Sequence, residues 1–275
     1  LGLSKQDYAM FDRLIMSSHG IILVTGPTGS GKSTTLYAGL QRVNSPDKNI
    51  ITVEDPIEYQ MPGIGQIQVR ERIGLNFAAA LREILRQDPD IILVGEIRDH
   101  ETAEMAVQAS LTGHLVFSTL HTNDSAGAVT RLVNMGIEPF LVSSSTIAIM
   151  AQRLVRRICP NCREEYEPEA ESWVELGIRP EDAKGLTSFR GVGCEKCQQR
   201  GYYGRIGIFE LLVMTPQIQD LTLKGVDSNV IKREAVKEGM RTLRADGAAK
   251  VRAGISTIEE VLRVTRDDLL EGVIA

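Results

Sequence analysis

Residues 26–33 read Gly-Pro-Thr-Gly-Ser-Gly-Lys-Ser and constrain the fold more than any other stretch of the chain. They match G-x-x-x-x-G-K-[ST], in which glycines let backbone N–H groups approach phosphates, Lys contacts the β/γ-phosphates and Ser binds Mg²⁺. The apolar run 21–25 predicts a buried strand before the motif, and residues 33–40 predict a helix after it. Such a loop directs N–H groups and a helix dipole at one point, so the stretch predicts a nucleoside triphosphate site. The predicted binding residues are Gly26, Pro27, Thr28, Gly29, Ser30, Gly31, Lys32, Ser33 and Thr34, with Ser33 as the magnesium ligand.

Composition limits the remaining possibilities. The 275 residues suffice for an α/β core with one or two additional modules. Lys and Arg number 31 against 36 Asp and Glu, a net charge of −5, and there are only six Tyr, six Phe and one Trp. An acidic balance with few aromatic rings argues against nucleic-acid binding. No apolar run reaches the ~18–20 residues that span a bilayer, so we expect no membrane-spanning segment. The sequence begins with Leu1 rather than Met, and we expect it to be part of a longer protein whose upstream region is missing.

Apolar runs alternate with helical periodicity over residues 1–158. The runs predict strands at 21–25, 50–53, 66–69, 91–94 and 115–120. The periodic stretches predict helices at 3–18, 33–40, 76–87, 101–111, 125–135 and 139–158. Strands that alternate with helices in this way predict an α/β fold with a parallel sheet covered on both faces.

The composition changes after residue 158, which predicts two further regions. Residues 159–200 are rich in Pro, Glu and Gly with weak periodicity, as in a module held together by a metal ion. Residues 201–275 predict a strand at 205–213, a helix that begins at Thr215-Pro216, and a last helix with a capping box at 256–259.

Acidic residues follow two of the predicted strands. Glu54, Asp55 and Glu58 come at the end of the second strand, and Glu96 follows the strand 91–94. Ligands of parallel α/β sheets bind at the carboxyl ends of strands, so these carboxylates are placed where phosphates and metal would lie. We expect Glu58 to activate the attacking water, although Glu54 and Asp55 compete for this role.

Glu96 occupies the position of a Walker B carboxylate. The Asp usual at such a strand end is replaced by Gly95, so we expect Glu96 to contact the metal through water. The alternative for Glu96 is a solvated loop carboxylate.

Two histidines flank the predicted strand 115–120. His114 and His121 are either satisfied structural residues or sensors of the γ-phosphate, and His121 is the better sensor because it follows the carboxyl end of the strand.

Three arginines are candidate trans-acting residues. Arg82 and Arg86 lie one turn apart on an exposed helical face, and Arg98 follows Glu96. They form either surface ion pairs or fingers that reach a neighbouring subunit's γ-phosphate.

The four cysteines fall into two C-x-x-C pairs: Cys159, Cys162, Cys194 and Cys197. Four thiolates predict a closed, structural, tetrahedral Zn²⁺ site, with a redox dithiol as the alternative. Paired cysteines without a signal peptide also favour a reducing, cytoplasmic compartment.

The combined motifs resemble the secretion ATPase superfamily. Residues 26–37, 54–58, 86–99 and 113–123 stand in the order of its Walker A motif, Asp box, atypical Walker B motif and His box. The tetracysteine segment is similar to that of type II secretion ATPases and type IV pilus assembly ATPases, and pilus retraction ATPases lack it. Residues 60–69 and 135–142 favour the type II secretion group.

The resemblance implies a RecA-like P-loop NTPase core (1–158), a zinc module (159–200) and a C-terminal helical region (201–275). It implies a hexameric ring of this chain, peripheral to the cytoplasmic face of the inner membrane, that docks to inner-membrane secretion-platform proteins and hydrolyses ATP to polymerise pseudopilin. It does not imply nucleic acid as a partner. By the same resemblance, we expect the family's N-terminal domain to be missing from this sequence.

The resemblance also implies roles for single residues. By resemblance, Glu58 and Glu96 are the catalytic pair, and Arg82, Arg86 and Arg98 are candidates for intersubunit or membrane contacts. From the motifs we also expect Lys32 and His121 to take part in catalysis.

Three other functions remain as alternatives. One is a type IV pilus assembly ATPase, and another is a RecA-like nucleic-acid translocase whose cysteines form a zinc ribbon. The third is a nucleotide-dependent scaffold without turnover, should Gly95 abolish metal binding.

Overall fold

The computed structural model describes residues 1–265, which form two compact units. We call the first the P-loop unit; it comprises Lys5–Ala151 and Leu211–Met240. We call the second the cysteine unit; it comprises Leu1–Ser4, Gln152–Glu210 and the described residues from Arg241 onward.

Helices and strands are interspersed up to residue 145. The elements are α1 (Lys5–Leu14), β1 (Gly20–Thr25), α2 (Lys32–Val43), β2 (Ile50–Glu54), β3 (Gly65–Gln68), α3 (Phe77–Ile84), β4 (Ile91–Val94), α4 (His100–Leu111), β5 (Leu115–Leu120), α5 (Ser125–Asn134) and α6 (Pro139–Ser145). Two short 3₁₀ turns, Glu71–Ile73 and Leu85–Gln87, flank α3.

The remaining elements extend to residue 264. They are β6 (Thr146–Ile158), β7 (Arg163–Tyr166), α7 (Ala170–Glu175), α8 (Pro180–Ala183), β8 (Ser188–Gly191), β9 (Tyr202–Val213), α9 (Pro216–Leu223), α10 (Ser228–Lys237), α11 (Leu243–Arg252) and α12 (Ile258–Val264). A 3₁₀ turn covers Glu195–Cys197. Residues 266–275, part of the predicted helical region, lie outside the described residues.

Seven strands form one sheet in the order β3-β2-β4-β5-β1-β6-β9. Neighbouring strands from β3 to β6 in this order pair in parallel. Every residue of β1, β4 and β5 is buried, as expected for strands whose two faces are both covered. The predicted α/β fold with a mostly parallel sheet is therefore confirmed.

The predicted helix over 139–158 is wrong beyond residue 145. The helix α6 ends at Ser145, and residues 146–158 form β6, which pairs in parallel with β1. The run Ile-Ala-Ile-Met-Ala at 147–151 is continuously apolar, and periodicity alone cannot separate a buried strand from a buried helix in such a run. Its β-branched residues and the open edge of β1 favour the strand.

The helices after β9 begin with polar caps. The Thr215 side chain accepts from the N–H of Ile218 at 3.3 Å, and Pro216 is the first residue of α9, as predicted. The predicted capping box at 256–259 is displaced by one residue, because Thr257 rather than Ser256 caps α12. Ser256 instead donates its hydroxyl to the carbonyl oxygen of Arg156 at 2.8 Å.

Each helix within residues 1–265 is too short or too polar to span a bilayer.

The cysteine unit contains a buried acid held by two arginines. Glu260 of α12 accepts from Arg156 at 2.6 Å and from Arg263 at 3.0 Å, and its side chain is only 2% exposed. Burial opposes ionisation of this carboxyl, but the hydrogen bonds from Arg156 and Arg263 outweigh it and lower the pKa of Glu260 from 4.5 to about 2. The carboxylate therefore ties β6 to α12.

This acid predicts a specific pH dependence of stability. Because the pKa of Glu260 is lower in the folded chain than in the unfolded chain, the ionised carboxylate stabilises the fold. This stabilisation is complete above pH 4.5 and is lost as the pH falls toward 2. Glu260→Gln should lower the free energy of unfolding by about 1–3 kcal/mol at pH 7 and flatten its decline in acid. Chemical denaturation between pH 7 and 3 measures both effects. The exposed neighbour Glu259, changed to Gln, is the matched control; parallel pH profiles of wild type and Glu260→Gln would contradict the assignment.

Candidate active site and metal centre

Four adjacent strands of the P-loop unit end at one edge of the sheet. The strands β2, β4, β5 and β1 are neighbours and run in the same direction, so their carboxyl ends lie side by side. The P-loop follows β1. The other segments that follow these strands begin with Asp55 after β2, Gly95-Glu96 after β4 and His121 after β5.

The P-loop has the backbone conformation that its glycines permit. Gly26, Gly29 and Gly31 have φ values of 148°, 78° and 89°, which residues with a Cβ atom rarely adopt. The Nζ atom of Lys32 donates to the carbonyl oxygens of Gly26 at 2.8 Å and Pro27 at 3.1 Å, so the ammonium group lies over the loop.

The loop presents polar groups that fit a phosphate. The hydroxyl of Ser30 is buried and has no hydrogen-bond partner within the described residues. The first N–H groups of α2, which begins at Lys32, have no carbonyl within the helix to bind, and the helix dipole favours an anion there. Ser33 and Thr34 are exposed at this helix start, where a hydroxyl can reach a metal bound to phosphates. These residues fit a nucleoside triphosphate with Mg²⁺.

Glu96 connects two of the other segments at this edge. Its side chain is 13% exposed and forms an ion pair with Arg98, and its second oxygen lies 3.4 Å from Nε2 of His121. The hydrogen bond to Glu96 raises the pKa of the Arg98 guanidinium. The carboxylate that follows β4 is thus oriented by a histidine that follows β5.

The segment after β5 is also bonded to the strand that leads into the P-loop. The N–H of Thr122 donates to the hydroxyl of Thr25 at 2.8 Å, and the two hydroxyls are 2.7 Å apart. Two residues further on, the buried Asp124 caps α5 and pairs with Lys232 of α10 at 3.0 Å. The segment that begins at His121 is therefore held in place by its bonds to Thr25, the last residue of β1, and to Lys232 of α10.

Gly95 stands where a larger acidic residue is usual, and packing explains the substitution. A Cβ at this position would lie 3.3 Å from the Cα of Glu54, from the ring of Phe77 and from the carbonyl oxygen of Val53. Two of these three atoms belong to backbone, which cannot move aside as a side chain can. Glu96 is the first position after β4 that carries a carboxylate into the site.

The three acids at the end of β2 and just after it have different surroundings. Glu54 is 4% exposed and accepts from Tyr37, from Thr52 at 2.6 Å and from the side-chain amide of Gln66 at 3.2 Å. The carboxylate oxygens of Glu54 are thus occupied by hydrogen bonds that fix the end of β2. Asp55 and Glu58 are exposed at the site edge, which leaves Glu58, the preferred base, or Asp55 to contact a water.

The predicted arginines lie in three separate environments. Arg82 forms an ion pair with Glu101, in the first turn of α4, and Arg98 pairs with Glu96 at the site. Arg86 is exposed in the 3₁₀ turn before β4, and no ion pair joins it to another residue within 1–265. Because it precedes a strand, Arg86 is near the sheet edge opposite the P-loop.

His114 is near that opposite edge as well. It precedes β5, and its Nδ1 lies 2.8 Å from the carbonyl oxygen of Ala109 and 3.1 Å from the hydroxyl of Thr112. These local contacts occupy the imidazole at the end of α4.

The four cysteines of the cysteine unit form one cluster. Their Sγ atoms all lie within 4.8 Å of one another, with separations of 3.8 Å for Cys159–Cys194, 3.8 Å for Cys162–Cys197 and 3.7 Å for Cys194–Cys197. A tetrahedral ion with metal–sulfur bonds of ~2.3 Å has sulfur–sulfur edges of about 3.8 Å. The spacing therefore fits one tetrahedral metal ion.

Backbone groups around the cluster favour thiolates. The N–H groups of Gly193, Cys194 and Gly201 point at sulfur atoms at 3.3, 3.2 and 3.2 Å. Hydrogen bonds from the Asn161 side chain and the Cys197 backbone lower the pKa of the Cys194 thiol to about 6, whereas burial raises the pKa of the Cys162 thiol. Hydrogen bonds of this kind orient metal-bound sulfur atoms.

Sequence reasoning missed the polar groups that hold these segments in place. Tyr37, Thr25 and Gln66 each bind a segment of the site edge, although none of them is assigned a role from sequence alone. For Tyr37 a signal is available, because it follows Ser33 by one helical turn and therefore shares its face of α2.

The fold and its site define a nucleotide-binding α/β protein of the P-loop class. The profile of one protein family, described as type II/IV secretion system protein, matches residues 1–263. The chain belongs to this family, which confirms the resemblance noted in the sequence.

Three known proteins illustrate the similarity. The chain is 54% identical over 267 residues to type II secretion system ATPase E of Vibrio cholerae, covering 97% of this chain and 52% of that protein. It is 50% identical over 269 residues to type IV pilus assembly ATPase PilB of Myxococcus xanthus, covering 98% and 48%. The structure of the pilus retraction motor PilT with bound ADP aligns with a TM-score of 0.71 at 31% identity, covering 96% and 65%. The chain thus spans about half the length of the first two relatives.

The cysteine cluster generates a prediction about bound metal. The protein purified without chelator should carry one metal ion per chain, and its four thiols should react with a thiol reagent only after chelation. Elemental analysis and thiol titration measure both quantities. Cys162→Ser should lower the metal content and the melting temperature of the protein, whereas Ser172→Ala, in α7, should change neither. Metal-free protein with four immediately reactive thiols would contradict this interpretation.

Proposed function

We propose that this chain is the ATP-hydrolysing motor region of a type II secretion ATPase, which powers pseudopilus assembly for protein secretion across the outer membrane. One observation carries the proposal: the P-loop, the Glu96–His121 pair and the acidic segment after β2 meet at one sheet edge. The 54% identity to type II secretion ATPases supports it, and so does the bound ADP of the similar PilT structure.

The residues of the P-loop are assigned to the phosphates. The N–H groups at the start of α2 and the Ser30 hydroxyl donate to phosphate oxygens, and Lys32 exchanges its carbonyl partners for the β/γ-phosphates. Ser33 would hold Mg²⁺ directly, and Glu96 would hold it through a water. The ion, when bound, supplies positive charge to the phosphate oxygens.

Two acidic segments are assigned to the chemical step. Glu58 orients the attacking water and accepts its proton, because Glu54 is engaged in the interior. His121 contacts Glu96 through Nε2 and senses whether the γ-phosphate is present, because the segment that carries it is bonded to Thr25.

The larger assembly is also a proposal. The core is RecA-like and works as a hexameric ring at the cytoplasmic face of the inner membrane, docked to inner-membrane secretion-platform proteins. Arg82, Arg86 and Arg98 are candidates for contacts between subunits. Within the chain, we assign residues 1–158 to the ATPase core, 159–200 to a zinc module and 201–275 to the C-terminal region. Zn²⁺ is the expected ion because four thiolates without an open position suit it as a structural metal.

A type IV pilus assembly ATPase is the second candidate. The 50% identity to PilB of Myxococcus xanthus, close to the 54% found for the secretion ATPases, supports it. Restoration of secretion or of piliation in the corresponding deletion strains distinguishes the two.

Phosphate release by the full-length natural protein tests the hydrolytic function. Lys32→Ala should abolish nucleotide binding and hydrolysis, because the P-loop loses its fixed positive charge. Glu96→Gln and Glu58→Gln should retain ATP binding and lower kcat by about 10²-fold or more. Glu171→Gln, an exposed carboxylate of α7, is the matched control and should leave kcat unchanged. Hydrolysis that is insensitive to Lys32→Ala would remove the P-loop from the reaction.

A further inference from the structure

Tyr37 is a buried tyrosine on the helix that begins at the P-loop. It is 2% exposed and follows Ser33 by one turn of α2, so its hydroxyl is carried by the same rigid element that receives the phosphates. No motif of the family resemblance assigns it a role.

The hydroxyl of Tyr37 bonds both ends of the acidic segment after β2. It donates to Oε2 of Glu54, at the end of β2, and accepts from the N–H of Glu58 at 3.4 Å. Burial and the Glu54 carboxylate raise the pKa of this hydroxyl, so it stays protonated and keeps its donor role at neutral pH. One atom thus joins α2 to the strand end and to the residue proposed as base.

The aromatic ring of Tyr37 also contacts the residue that follows Glu58. Tyr59 packs edge-on against Tyr37, with ring centroids 4.7 Å apart and planes at 78°. The side chain of Gln66, on β3, bonds the carbonyl oxygen of Tyr59 at 3.2 Å and the N–H of Met61 at 2.7 Å. The chain on either side of Glu58 is therefore fixed, while Glu58 itself is exposed.

From this geometry we propose that Tyr37 is a positioning residue that sets the distance of Glu58 from the nucleotide phosphates. The inference rests on the proposed function, in which Glu58 acts on the attacking water. Because the hydroxyl belongs to α2, any movement of the phosphate-bound helix is passed to Glu58 through one hydrogen bond. Tyr37 does not touch the nucleotide in this scheme, so it governs the chemical step and not the affinity for ATP.

Tyr37→Phe tests the proposal because it removes the hydroxyl and keeps the ring. In the full-length natural protein kcat should fall about 10-fold, with KM for ATP within about twofold of wild type. Tyr203→Phe removes an exposed hydroxyl in the cysteine unit and should leave both constants unchanged. An unchanged kcat in Tyr37→Phe would overturn the proposal. If Tyr37→Phe unfolds at the assay temperature, Tyr59→Leu replaces it: a lower kcat with unchanged KM supports the proposal, and wild-type kcat overturns it.

A double-mutant cycle with Glu58→Gln separates positioning from a general structural effect. If Tyr37 acts through Glu58, adding Tyr37→Phe to Glu58→Gln should cause no further loss of kcat. An additional loss equal to that of the single variant would overturn the positioning role while the proposed function stands. Failure of the function itself has a different signature, namely hydrolysis that Lys32→Ala and Glu58→Gln leave intact.

Discussion

Parallel pairing of β2, β4, β5 and β1 determines where chemistry can occur in this chain. Because these neighbouring strands run in one direction, the segments that follow them meet at one edge although they are far apart in sequence. The hydroxyls of Thr25 and Thr122, 97 residues apart, are 2.7 Å from each other there. The P-loop therefore lies at the same sheet edge as the acidic segments and His121, although these are distant in sequence.

The site balances charges of both signs. The start of α2 and Lys32 supply positive potential for phosphates, while Glu96 would repel them if it stood alone. Arg98 partly offsets the negative charge of Glu96, and the contacts with Arg98 and His121 together fix its direction. The charge of Glu54 is stabilised differently, because this carboxylate is buried and accepts hydrogen bonds from neighbouring donors. Two carboxylates at adjacent strand ends are thus assigned to separate tasks by their surroundings.

Much of this arrangement follows from sequence, because glycine spacing and apolar runs are local signals. The P-loop, the strands β1, β4 and β5 and the cysteine cluster could all be predicted. The strand β6 could not, since its apolar run fits a helix equally well until it is paired with β1. The bond from Tyr37 to Glu54 and the contact of His121 with Glu96 depend on strand order, which no local pattern encodes. The one-residue shift of the cap from Ser256 to Thr257 also depends on a contact between segments distant in sequence, because the Ser256 hydroxyl donates to the carbonyl oxygen of Arg156.

The structure of the full-length protein with Mg²⁺ and a non-hydrolysable ATP analogue tests the central claim most directly. The account predicts that the terminal phosphates accept hydrogen bonds from the N–H groups between residues 28 and 34. It also predicts that Nζ of Lys32 moves from the carbonyl oxygens of Gly26 and Pro27 to the phosphates, with Glu96 next to the metal or its water. Phosphates bound elsewhere, with Lys32 still on those two carbonyls, would contradict it.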